Sequence, residues 1–131
     1  MERKIISTAA FLGMLAIILG AFGAHALKNV LNIEHLTTIE TGVKYQMYHA
    51  LFLLFIGLTE KVSVKTKNQI FYLTTVGIMM FSGSIYLLAT RNITNIDFSM
   101  IGIITPIGGF FLISAWFILF YKFTTNKSQN S

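Results

Sequence analysis

Four stretches of the chain are almost free of charge, and short polar segments separate them. The first runs from Ile5 to Ala24. As a helix rising about 1.5 Å per residue it spans about 30 Å, the thickness of a bilayer's hydrocarbon core. The second has its apolar part at Tyr45 to Thr59, with the helix beginning earlier, near Thr37. Gln69 to Ala89 is the third and Met100 to Tyr121 the fourth. The pattern predicts one all-α membrane domain over residues 1–131, with four transmembrane helices at about 5–24, 43–59, 69–89 and 100–121.

The segments between them are polar. His25 to Lys44 mixes Lys28, Glu34, His35, Glu40 and Lys44 with Leu27, Val30, Leu31, Ile33, Leu36 and Ile39. That amphipathic character predicts a short helix lying at the interface in this first loop. Glu60 to Asn68 is the second loop, Thr90 to Ser99 a polar turn with Arg91 and Asp97. Lys122 to Ser131 is rich in Ser, Thr, Asn and Gln and reads as a disordered tail.

Composition supports a membrane protein. Apolar residues make up 54% and charged ones 11% of the 131 residues, against roughly 25% charged in soluble domains. The net charge of +5 raises nucleic acid as a partner, but the cations cluster at the ends of apolar runs, as in cytoplasmic loops. Arg3, Lys4, Lys61, Lys65, Lys67, Lys122 and Lys127 fall on one side, and Lys28, Lys44 and Arg91 on the other. The richer side is cytoplasmic, so both termini point inward, and the location is the plasma membrane. Tyr72, Trp116 and Tyr121 fit an aromatic belt toward the inner ends. A cleavable signal peptide competes for the first span, since Ala24-His25-Ala26 resembles a small-residue site; the run is longer than the usual ~7–15 residues and three more spans follow. There are no cysteines, which removes disulfides and thiolate metal sites.

Local features refine the helices. Ala9, Gly13, Ala16, Gly20, Gly23 and Ala24 fall within an arc of about 100° on the first span. Such a seam lets another backbone approach closely, in the same chain or another. A second copy or another membrane protein is therefore a partner expected through the Ala9, Gly13, Ala16, Gly20 face. Pro106, with Gly102, Gly108 and Gly109 around it, predicts a kink or local unwinding in the fourth span. Gly102, Thr105, Gly109 and Trp116 share one face of that helix; Met79, Ser82, Gly83 and Tyr86 share one of the third.

Every span supplies a polar side chain at similar depth on the outer side: His25, then Tyr45, Gln46 and His49, then Ser82 and Tyr86, then Thr105. Polar groups in lipid need partners. The plain reading is that these residues bond to one another and fix the packing. The sharper one is an outward-facing pocket for a ligand, ion or proton. A metal site from His25, His49 and His35 or Glu40 comes last, because no HxxxH or HxxEH spacing is present. His49 has Tyr86, Thr105 and His25 as its nearest partners in depth. No P-loop, GxGxxG or GxSxG motif occurs, and no apolar span carries Asp, Glu, Lys or Arg, which disfavours ion-coupled transport.

Four blocks carry a resemblance: Gly20-Ala-Phe-Gly-Ala-His-Ala-Leu27, Tyr45-Gln-Met-Tyr-His-Ala-Leu51, Phe81-Ser-Gly-Ser-Ile-Tyr86 and Ile104-Thr-Pro-Ile-Gly-Gly109. In this order the chain resembles the small bacterial membrane proteins grouped as domain of unknown function 423, also called uncharacterised protein family 0382. The resemblance implies a multi-pass protein of the cell membrane and no catalytic residues. The expectation is a non-enzymatic membrane protein without cofactor or metal, living in lipid and not on nucleic acid, whose outer polar layer packs the bundle or receives a small partner. The alternative is an oligomeric channel- or transporter-like protein with an outward-facing pocket.

Overall fold

The structure is a computed structural model that describes residues 2–90 and 101–125. The expected turn with Arg91 and Asp97 and the end of the tail lie outside the described residues. All regular structure among them is helical. Helix α1 spans Glu2–Ile17 and passes into a π-helical stretch, Ile18–Gly23, and a short helix α2, Ala24–Leu27. Then come α3 (Ile33–Leu58), α4 (Val64–Ala89) and α5 (Ile101–Thr125).

The helix boundaries have local causes. Asn32 caps α3 by accepting the backbone N–H of His35 at 2.8 Å, which satisfies one of the donors a helix start leaves free. The capped helix runs unbroken to Leu58, so the residues expected to form a separate interfacial helix are instead the first turns of α3. Ser63 caps α4 by accepting from the Thr66 N–H at 3.2 Å. That start is earlier than the apolar run at Gln69 suggests, and it takes Thr66 and Lys67 out of the second loop. The helix α5 continues through Pro106 without unwinding. Proline falls there in the second turn, where it removes the donor that would face the Gly102 carbonyl. Lys122–Thr125, expected in the tail, form the last turn of α5.

Among the described residues, three helical segments are long and apolar enough to cross a membrane, Glu2–Leu27, Val64–Ala89 and Gly102–Thr125. The helix α3 is as long as α4, 26 residues, but carries Glu34, Glu40 and Lys44 in its first half. The helices alternate in direction. Glu2, Leu58, Val64 and Thr125 mark a near end of the bundle; Leu27, Ile33, Ala89 and Ile101 mark a far end.

Close packing follows chain order, α1 on α3, α3 on α4 and α4 on α5. Lipid gives no hydrophobic gain for helix association, so the fit depends on close van der Waals contact. Glycines supply it at each step. A methyl added at Gly57 would lie 2.7 Å from Ile6 of α1, and one at Gly42 would lie 2.7 Å from the Tyr86 ring of α4. The tightest crossing joins α4 and α5, where a methyl at Gly108 would sit 2.5 Å from the Phe81 backbone nitrogen and 2.8 Å from the Gly77 carbonyl oxygen. The main core lies toward the near end and includes Ile5, Phe52, Leu53, Ile56, Ile70 and Phe71.

The small-residue seam of α1 meets α3 of the same chain. Ala9 and Ala16 are 1% exposed, and Gly13 faces Ala50. Along Ala9, Gly13 and Ala16 the neighbour that the seam admits within the chain is therefore α3. The π-helical stretch then changes the rotation per residue. Within it Gly20 is exposed, although it still lies close to Val43.

Candidate functional site

The seven side chains expected in one polar layer divide into separate hydrogen-bonded groups. The first joins three helices. Gln46 lies at the middle of α3 and is buried. Its Nε2 donates to the Leu12 carbonyl of α1 at 2.8 Å, and its Oε1 accepts from the Tyr86 hydroxyl of α4 at 2.7 Å. Tyr86 stands nearer the far end than Gln46. Helical side chains lean toward their own N-terminus, so in antiparallel helices the phenol leans in and the amide leans out until they meet. The space for the ring comes from Gly42, whose missing side chain lets it lie against α3.

The second group is His49. Its Nδ1 lies 2.7 Å from the Tyr45 carbonyl oxygen. A carbonyl only accepts, so Nδ1 carries the hydrogen and Nε2 is left as the acceptor. Trp116 of α5 donates its indole N–H to that Nε2 at 3.0 Å. The indole also stacks on Phe52, with ring centroids 4.0 Å apart. Both ring nitrogens of His49 are therefore engaged within the chain. Its partners are not Tyr86, Thr105 or His25, as depth alone suggested. The position of its Cα along the sequence puts Trp116 in an interfacial belt, whereas its long side chain reaches His49.

Two further pairs lie between the helices toward the far end. Ser82 donates to the Gly42 carbonyl at 2.7 Å. Ser84 and Thr105 hydrogen-bond side chain to side chain across α4 and α5. Tyr45 contributes its carbonyl to His49 and packs its ring on Phe81. His25 does not join any of these groups; it sits in α2 and is exposed. The expected single layer of seven is thus several linked pairs spread from the middle of the bundle to its far end.

Sequence reasoning missed one polar contact altogether. Lys67 is 2% exposed, and its Nζ donates to Glu2 Oε2 at 2.8 Å and to the Gly57 carbonyl at 3.4 Å. It ties the start of α1 to α3 and α4 at the near end. The available signal was spacing: Lys67 shares a helical face with Ile70, Phe71, Thr74 and Ile78, all of them buried.

The arrangement defines a class, a small helical membrane protein whose internal polar groups mostly pair with one another. The family described as protein of unknown function DUF423 matches residues 19–109, and the chain belongs to that family. Relatives agree over nearly full length. The UPF0382 membrane protein of Staphylococcus saprophyticus is 42% identical, over 89% of this chain and 93% of its own. YwdK of Bacillus subtilis, also a UPF0382 membrane protein, is 39% identical, with 89% and 93% covered. The UPF0382 inner membrane protein YgdD of Escherichia coli is 33% identical, with 90% and 87% covered. No solved structure matches. All but the first residue of the π-helical turn, together with Gln46, His49, Ser82, Tyr86 and Thr105, falls inside the family's matched region.

Proposed function

We propose that the chain is a four-span protein of the plasma membrane, with both termini cytoplasmic, that catalyses no reaction and whose inner polar groups pack the helices. The fourth crossing is α3. It packs on both α1 and α4, and its central polar residues Gln46 and His49 have partners inside the chain. The near end carries Arg3, Lys4, Lys61, Lys65 and Lys122, against Lys28 at the far end and Lys44 in the far half of α3, a bias that supports a cytoplasmic near end.

The observation that carries the packing role is the full engagement of His49, by the Tyr45 carbonyl and the Trp116 indole. An imidazole that binds a ligand or passes a proton needs a free nitrogen facing an opening. The alternative of an outward-facing channel or transporter pocket needs such free groups, and Gln46, His49, Ser82, Tyr86 and Thr105 use hydrogen bonds within the chain. The protein then acts through the surfaces it presents to lipid and neighbouring components.

Variants test this. His49→Ala leaves the Trp116 donor without its acceptor and is expected to lower stability by about 1–3 kcal/mol, with His49→Gln recovering part of it. Full thermal stability of purified His49→Ala, together with solute flux in liposomes that the substitution abolishes, would put the pocket reading first. For orientation, Asn29→Cys should react with an impermeant thiol reagent in whole cells and Lys61→Cys should not; the reverse pattern overturns it.

A further inference from the structure

The helices α3 and α5 flank α4 without packing closely on each other along their length. Between them runs a trough. Its wider part, a cavity of about 540 Å³, is lined by Tyr45, His49, Phe81, Leu112, Ile113 and Trp116, with Gly109 at one edge. A second hollow of about 380 Å³ continues toward the near end past Leu119, Phe120 and Phe123 to Thr124. Trp116 lines both.

We propose that this trough holds one acyl tail of a phospholipid from the leaflet at the near end. The chemistry of the lining selects the occupant. It is almost wholly apolar, and the one imidazole in it already has both nitrogens engaged. A polar ligand would lose its hydration and find no partner. A hydrocarbon tail loses nothing.

The dimensions agree. From Gly109 to Thr124 the trough runs about 22 Å at 1.5 Å per residue, longer than one leaflet's share of a roughly 30 Å core. A tail entering beside Thr124 can therefore lie in it over its full length. The trough opens sideways into lipid, since Ile113 is 67% and Phe120 65% exposed, so a tail enters without the helices parting. A helix of a second copy, about 10 Å across, fits less well, because the Trp116–His49 bridge crosses the trough and props it away. The proposal rests on the chain spanning the membrane. It does not rest on the packing role of His49, so the stability test above can fail while this one succeeds.

Trp116 is the chain's one tryptophan and reports from inside the trough. The full-length protein would be reconstituted with phospholipid carrying brominated tails, which quench tryptophan on contact, and then transferred into micelles free of brominated lipid. The expected result is quenching that is stronger for bromine near the methyl end than near the carbonyl end, part of which survives transfer. Complete recovery of fluorescence on transfer would mean contact with bulk lipid only and overturn the proposal. Gly109→Leu should abolish the retained quenching without loss of thermal stability, because a methyl there meets only Phe81, at the ordinary distances of 3.8 and 3.9 Å. Should that variant not fold, Phe120→Ala, which removes an exposed wall, carries the same expectation, and Phe11→Ala on α1 serves as the control. Retention unchanged in the trough variant, or lost equally in the control, refutes the assignment.

Discussion

The pair Gln46–Tyr86 gives the sharpest energetic test of the packing account. Gln46→Leu removes the bond to the Leu12 carbonyl and the acceptor for the Tyr86 hydroxyl. Side-chain hydrogen bonds between membrane helices average about 0.6 kcal/mol and reach about 1.7. The orphaned hydroxyl adds a penalty of about 1–3 kcal/mol, since lipid offers it no substitute. The Leu12 carbonyl loses less, because it remains in the hydrogen-bond ladder of α1. The single substitution should therefore cost about 2–3 kcal/mol. Tyr86→Phe leaves only the amide oxygen of Gln46 short and should cost about 1 kcal/mol. Replacing both partners by apolar groups removes the unmet polar groups along with the bond. The double variant should be more stable than Gln46→Leu alone. Reversible unfolding in mixed micelles, with a denaturing detergent as titrant, measures all four corners of this cycle. Costs that simply add, within about 0.5 kcal/mol, would show that the two side chains do not share a bond that matters.

Two further tests concern contacts rather than hydrogen bonds among neutral groups. Gly108→Ala forces a methyl against the backbone of α4 and should cost about 1–3 kcal/mol, whereas Gly83→Ala, where a methyl meets nothing within 4 Å, should gain about 0.5–1 kcal/mol from helix propensity; equal melting temperatures for the two would contradict the crossing described. Glu2→Gln strips the buried Lys67 ammonium of its counter-charge, while Lys67→Met removes the buried charge and leaves Glu2, 59% exposed, in water. Glu2→Gln should therefore melt lower than Lys67→Met, and the opposite order in a thermal scan would refute a buried role for Lys67.

Much of the architecture is legible from periodicity because lipid allows few choices. A backbone in a bilayer must satisfy itself, so long uncharged runs become helices. Partners are harder to read. Each polar residue was assigned a depth from its Cα, but Tyr86 and Trp116 reach several ångströms along the helix axis, which moves them into different pairs. His25 dropped out because the chain turns between Leu27 and Ile33 and leaves it at the surface. The seam of α1 was legible as a seam, but not which helix would fill it. Its far part depends on a constant rotation per residue, and the π-helical stretch breaks that rule. Lys67 was hidden by chemistry: a lysine beside other lysines reads as a loop cation, and only the Ser63 cap shows that the helix has already begun.

The order of packing bears on how the protein is made. Each arriving helix packs on the long helix synthesised before it, α3 on α1, α4 on α3, α5 on α4. From α3 onward, each helix has one docking partner already in the bilayer when it arrives. The glycine contacts at Gly57, Gly42 and Gly108 come one per docking step, on the arriving helix at Gly57 and Gly108 and on the waiting one at Gly42. The lysine that closes the near end arrives with α4, by which time Glu2 has long been in place. Assembly can proceed as a zipper, in the direction of translation, with the exposed side of the newest helix held by lipid until its successor docks.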